Sequence, residues 1–325
     1  MNHSLLTLFA VSAVVALQPA SVHAESPLGG RLRERLAERR AGSPEKKGVA
    51  EMAYGKDPLQ KLDYWRPKKP GSPLESISRN SSPRYYWRPK KPGSPLVVFV
   101  HGGGWKRGDK SDSTGQKASH FLDQGYGFAS INYRLVPANT VEDEAQDVAS
   151  ALAYLIQQSD TLGFDKTKVV LMGHSAGAHL SALVGTDMQY LKKAGLNPKS
   201  LCGVIPLDGA CYDVPRQIAE GGDFMQDTYV QAFGNDRFRQ AALSPTHHAA
   251  APNSPAFLIL HVQRVDGTKQ SRALGEALIK AGTKAEVRGF EGVGLKGHAE
   301  INRRLGDPDY PATPVVDQWL KHRFS

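Results

Sequence analysis

Gly173-His174-Ser175-Ala176-Gly177 follows directly on the apolar run Val169-Val170-Leu171-Met172, so a strand runs into a tight turn with one serine at its tip. A serine hydroxyl is a weak nucleophile until it is held clear of the backbone beside a general base, and a Gly-x-Ser-x-Gly turn supplies that clearance. The flanking glycines carry no Cβ, which lets a sharp strand-to-helix reversal close around a strained serine. The helical stretch from Ala178 to Val184 then aims its positive end at the same point and favours negative charge there. Acyl transfer is the chemistry such a turn serves.

A second constellation lies upstream, where the buried-strand pattern Leu96-Val97-Val98-Phe99-Val100 enters His101-Gly102-Gly103-Gly104-Trp105. Alone, three glycines read as a flexible turn with Trp105 as core. Beside a Gly-x-Ser-x-Gly turn they read as a loop whose free N-H groups meet the oxyanion of a tetrahedral intermediate, one donor coming from this loop and one from the residue after the serine. The expected donors are Ala176 and either Gly103 or Gly104.

The base and its orienting acid are expected downstream in the order acid, histidine. Residues 255–262 form another buried strand with Asp266 in the loop past its end; a helical stretch follows over 269–281, a strand over 285–290, then Gly294-Leu295-Lys296-Gly297-His298. His298, on a glycine-flanked loop after the last strand, is the expected base and Asp266 the expected acid. Asp208, which ends the strand Val204-Ile205-Pro206-Leu207, and Glu291 compete with Asp266. Of the 11 histidines most must be surface or structural; His261 reads as strand-end structure and His247-His248 as a polar turn.

These residues resemble the α/β-hydrolase superfamily, and within it the esterases with a His-Gly-Gly loop, including bacterial feruloyl-esterase-like and kynurenine formamidase-like enzymes. The resemblance spans residues 50–325 and rests on His101 to Trp105, Asn132-Tyr133-Arg134-Leu135 with the acidic helix start Glu142-Asp143-Glu144, Gly173 to Gly177, and the Asp266 and His298 pair. It implies a serine hydrolase acting on carboxylic esters or small amides without cofactor or metal. Members often place the acid four residues after the glycine or histidine that closes the strand, whereas Asp266 comes five after His261.

Apolar strands alternate with helical stretches, as at 127–133, 145–157 and 169–172, which implies a doubly wound, mostly parallel α/β sheet with the site at the carboxyl ends of its strands. The alternation is interrupted over 211–250, where a lid or cap segment is expected. There 223–233 has helical spacing with an apolar face of Phe224, Met225, Tyr229 and Phe233, a face that serves either core packing or a pocket wall. Trp105, His174, Phe224 and Tyr229 are the candidate substrate contacts.

The chain has 325 residues and a formal charge of +9, much of it outside the presumed catalytic core. Leu5 to Leu17 is an apolar run of signal-peptide length, and Val22-His23-Ala24 offers small residues for cleavage; export to the periplasm or medium is expected, with no stable span in the mature chain. Residues 25–49 read as a basic, flexible linker. No arginine cluster interleaved with aromatics points to nucleic acid. The two cysteines, Cys202 and Cys211, flank one short strand whose extended length keeps them beyond bonding distance, so free thiols are expected.

The segment from Tyr64 to Leu74 recurs unchanged as Tyr86 to Leu96, a tandem duplication of 22 residues. An extra surface loop accounts for it, since long insertions cost little loop entropy. The functional expectation is a serine esterase for small or aromatic acids. A formamidase or amidase on the same machinery and a non-catalytic binding protein on the same fold are the alternatives. Neither the oligomeric state nor the natural substrate is legible.

Overall fold

In a computed structural model of the protein, residues 49–67, 93–111 and 114–325 are described. The expected leader at 1–24, all of the linker at 25–49 except Val49, and residues 68–92 of the duplicated region lie outside them. The first copy of the repeat supplies Tyr64 and Trp65 to strand β2 (Lys61–Trp65), and the end of the second opens β3 (Ser94–Val100).

With β1 (Val49–Ala53), β4 (Gly127–Ile131), β5 (Phe164–His174), β6 (Gly203–Leu207), β7 (Ala256–Gln263) and β8 (Lys284–Val293), these strands form one sheet in the order β1-β2-β4-β3-β5-β6-β7-β8. Only the β1/β2 and β2/β4 pairings are antiparallel. The mostly parallel, doubly wound sheet expected from the alternation is present.

Parallel central strands must be apolar on both faces, because the crossover helices cover both. Alternation along β3 sends Leu96, Val98 and Val100 to one core and Val97 and Phe99 to the other, and β5 divides Val169 and Leu171 from Val170 and Met172 in the same way. Helix α1 (Lys117–Asp123) and the C-terminal α11 (Ala312–Phe324) pack on the second face through Phe121, Val316, Trp319 and Leu320. Helices α2 (Val141–Gln157), α4 (Ala176–Thr186) and α9 (Val265–Lys280) cover the first. Short helices α3 (Ser159–Leu162) and α5 (Met188–Lys193) complete that side of the chain. The start of α2 is fixed by a capping box in which Thr140 accepts from the Asp143 N-H and Asp143 accepts from the Thr140 N-H.

Over 211–250 the chain forms α6 (Val214–Glu220), α7 (Asp223–Phe233) and α8 (Arg237–Ala242). Of the expected apolar face of α7, Tyr229 and Phe233 are buried, and Phe233 packs edge-on against Trp105 with ring centroids 4.8 Å apart. Both cysteines are free. Among the described residues no helix is long and apolar enough to cross a membrane.

Candidate active site

β5 ends at His174 and α4 begins at Ala176, which leaves Ser175 alone to reverse the chain, with φ 57° and ψ −119°. An L-residue pays for a positive φ, so the fold must over-determine this position. It does so through close packing on both flanks: a Cβ on Gly173 would stand 2.1 Å from the Gly177 carbonyl oxygen, and one on Gly177 would stand 2.2 Å from that of Val100. The Ser175 N-H is held by the carbonyl of Leu207 at the end of β6.

The glycine loop after β3 lies against this turn. Gly103 and Gly104 have φ of 135° and 62°, and a Cβ on Gly102 would come within 2.9 Å of the Ser175 Cβ. Gly103, Gly104, Ala176, Ser175 and His298 line one cavity of about 970 Å3 at the carboxyl end of the sheet. The expected nucleophile, base and oxyanion donors therefore face one space.

Two sequence expectations are corrected here. His298 lies not on a loop but in the second turn of helix α10 (Gly294–Arg304), and its orienting carboxylate is not Asp266. His298 Nδ1 stands 2.5 Å from Oδ2 of Asp208, the fully buried residue that follows β6. Asp266 sits instead in the first turn of α9, where it accepts from Gln217 Nε2 at 3.3 Å and pairs with Arg264 at 3.5 Å. Helix α9 starts four residues before the sequence suggested, which turns residue 266 toward Gln217 and Arg264. The other competitor, Glu291, is exposed on β8.

Asp208 is itself positioned from both sides. Its Oδ1 accepts from the Val262 N-H at 3.0 Å, and its own N-H donates to Leu260. Burial alone would raise its carboxyl pKa, but the hydrogen bond from His298, the Arg264 charge and the Val262 N-H outweigh that and hold it below the usual carboxylate range. Arg264, which sequence reasoning did not single out, reaches Asp208 Oδ2 at 3.5 Å, the Gly209 carbonyl at 3.2 Å and His298 Nδ1 at 3.2 Å. Nδ1 cannot donate to the carboxylate and accept from a guanidinium together. The shorter contact to an ionised partner assigns its proton to Asp208, which leaves the Nε2 lone pair free as a base.

Two of the proposed substrate contacts turn out to be internally engaged. His174 lines the cavity, yet its Nε2 meets the His298 carbonyl oxygen at 3.0 Å and its ring lies 4.4 Å from that of His298. Burial and the neighbouring imidazole hold His174 well below the usual histidine range, so it is neutral and Nε2 carries the donated proton. Trp105 is almost wholly buried and donates from Nε1 to His179 Nδ1 at 3.3 Å. Burial pushes His179 down to about 4, and its Nε2 donates to the Leu243 carbonyl. Tyr229 lines the cavity wall with Met225; Phe224 is on the same helix, with its side chain outside the described residues.

Helix α10 is anchored from α1. The buried Lys117 Nζ donates to the backbone carbonyl and to Oδ1 of Asn302, one turn past His298, and sits over the Phe99 ring. Burial lowers this ammonium to about 7.

Residues 85–278 match the BD-FAE family model. Esterase LipC of Mycobacterium tuberculosis is 30% identical over 248 residues, covering 73% of this chain and 56% of LipC, so the chain spans about half that relative's length. Kynurenine formamidase of Danio rerio is 24% identical over 274 residues, covering 82% of this chain and 80% of the relative. In fold, the structure of esterase B from Lactobacillus rhamnosis superimposes with a TM-score of 0.67 at 22% identity, covering 91% of each chain.

Proposed function

The chain belongs to the BD-FAE family, and on that premise we propose that it hydrolyses carboxylic esters of small or aromatic acids through a covalent acyl-enzyme. One observation carries the reading: Ser175, at its positive-φ turn, shares a cavity with His298, whose far nitrogen is engaged by a buried, ionised aspartate.

Ser175 Oγ attacks the ester carbonyl carbon while His298 Nε2 takes the hydroxyl proton, and the carbonyl oxygen becomes an oxyanion. The N-H of Ala176 and one from Gly103 or Gly104 hold that charge; losing one such donor costs about 3 kcal/mol of transition-state stabilisation. Collapse of the intermediate breaks the carbon to alkoxy-oxygen bond, and the imidazolium gives its proton to the departing alcohol. Water then repeats the sequence on the acyl-enzyme with His298 as base, releasing the acid and free Ser175. Asp208 fixes the tautomer and offsets the imidazolium charge; it exchanges no proton with substrate. Export ahead of this chemistry, with removal of residues 1–24, is part of the same proposal.

The breadth of the match to kynurenine formamidase favours a second reading, in which the scissile bond is a formamide and the amine is the leaving group. Comparing kcat/KM on p-nitrophenyl butyrate, a methyl ferulate ester and N-formylkynurenine decides between them. Ester turnover exceeding formamide turnover by at least about tenfold supports the first; the reverse order supports the second. Turnover of none of the three sinks both.

A further inference from the structure

The walls of this cavity differ in chemistry on the two sides of Ser175. Sheet order puts β3 on one side of β5 and β6, β7 and β8 on the other, so the loops after β3 and after β7 and β8 face each other across the serine. The β3 side contributes Lys106, half-buried, and Arg107, exposed; neither has an ion-pair or hydrogen-bond partner among the described residues. The opposite side contributes Val265, Val293 and Leu295, which are 78%, 70% and 60% exposed. They are three of the five large apolar side chains that the described residues leave exposed.

Among the described residues the one carboxylate lining the cavity, Asp266, is already engaged by Arg264. Two lining cations without an ion-pair partner among the described residues, opposite bare aliphatic surface, form a lining complementary to a ligand that is anionic at one end and apolar at the other.

Taking the ester-hydrolase reading as given, we propose that the substrates are amphipathic anionic esters. A carboxylate, sulfonate or phosphate on one side of the scissile carbonyl meets Lys106 and Arg107, and an apolar group on the other side covers Val265, Val293 and Leu295. A planar guanidinium beside an ammonium suits a multidentate oxyanion better than a neutral hydroxyl.

The test compares two charged and neutral pairs at low ionic strength. For a charge on the acyl part, mono-p-nitrophenyl glutarate is set against p-nitrophenyl butyrate. For a charge on the alcohol part, 4-acetoxybenzenesulfonate is set against phenyl acetate. In one pair the anionic ester is expected to exceed its neutral partner in kcat/KM by about tenfold, a preference that shrinks with added salt and falls toward unity in Lys106→Gln/Arg107→Gln. Only the ratio is read, so a general loss of activity in the variant does not imitate the effect. Ratios near one in both pairs, or a preference indifferent to salt and to the double substitution, overturn the proposal while leaving the esterase reading standing. Inactivity of the wild-type protein on all four esters removes both.

Discussion

His298 Nδ1 and Asp208 Oδ2 lie 2.5 Å apart, joining helix α10 to the end of β6 across 90 residues of sequence. In the proposed mechanism this contact gives the orienting role to the strand beside β5, while the loop after β7 places Arg264 beside the same carboxylate.

Asp208→Asn is therefore expected to cost on the order of ten-thousandfold in kcat, because an amide lets the imidazole adopt the wrong tautomer. Asp266→Asn removes the charge that pairs with Arg264, away from His298, and is expected to change kcat by less than about threefold. Steady-state kinetics on one ester, with circular dichroism to verify folding, compares them. Equal losses in the two variants contradict the assignment.

The serine turn carries a stability cost that can be measured. Glycine tolerates φ 57° without the Cβ clash that alanine suffers, so Ser175→Gly should be more stable than Ser175→Ala by about 1 kcal/mol, with both inactive. Urea denaturation of the two variants decides it; an alanine variant as stable as the glycine one speaks against a strained turn.

Lys117 makes a pH prediction. Its ammonium is lowered from 10.5 to about 7 in the fold. Between those values the unfolded chain holds one more proton than the native one, so this lysine's contribution is fully present above 10.5 and is lost as pH falls through about 7. Relative to Lys117→Met, the wild-type protein should gain about 1.4 kcal/mol per pH unit from pH 7.5 toward 10. A parallel pair of stability curves over that range refutes the shifted lysine.

Local features of the site were legible in the sequence, and relationships between distant loops were not. Ser175, the glycine loop and Ala176 each sit within a run of about five residues, where backbone requirements alone dictate residue type. The choice between Asp208 and Asp266 depends on which strand end His298 meets, a tertiary fact. The unusual spacing of Asp266 after His261 was the signal available. The late start expected for α9 and the loop expected at Gly294–His298 have one cause, since neither helix has a side-chain cap: Arg264 and Val293 occupy the N-cap positions, and Gly294 and Gly297 read as loop. By contrast, Asp223–Phe233 follows the helical spacing read from the sequence. The internal engagement of His174 and Trp105 was hidden for the same reason as the acid, since their partners are His298 and His179.

If His298 and Asp208 make Ser175 a nucleophile, the serine reacts covalently with a fluorophosphonate at a rate that depends on them, and peptide mass spectrometry locates the adduct. One adduct is expected, on Ser175, formed rapidly in the folded protein, slowed at least about a hundredfold in His298→Ala and absent after denaturation. Labelling at another residue, or at Ser175 with an unchanged rate in His298→Ala, would contradict it.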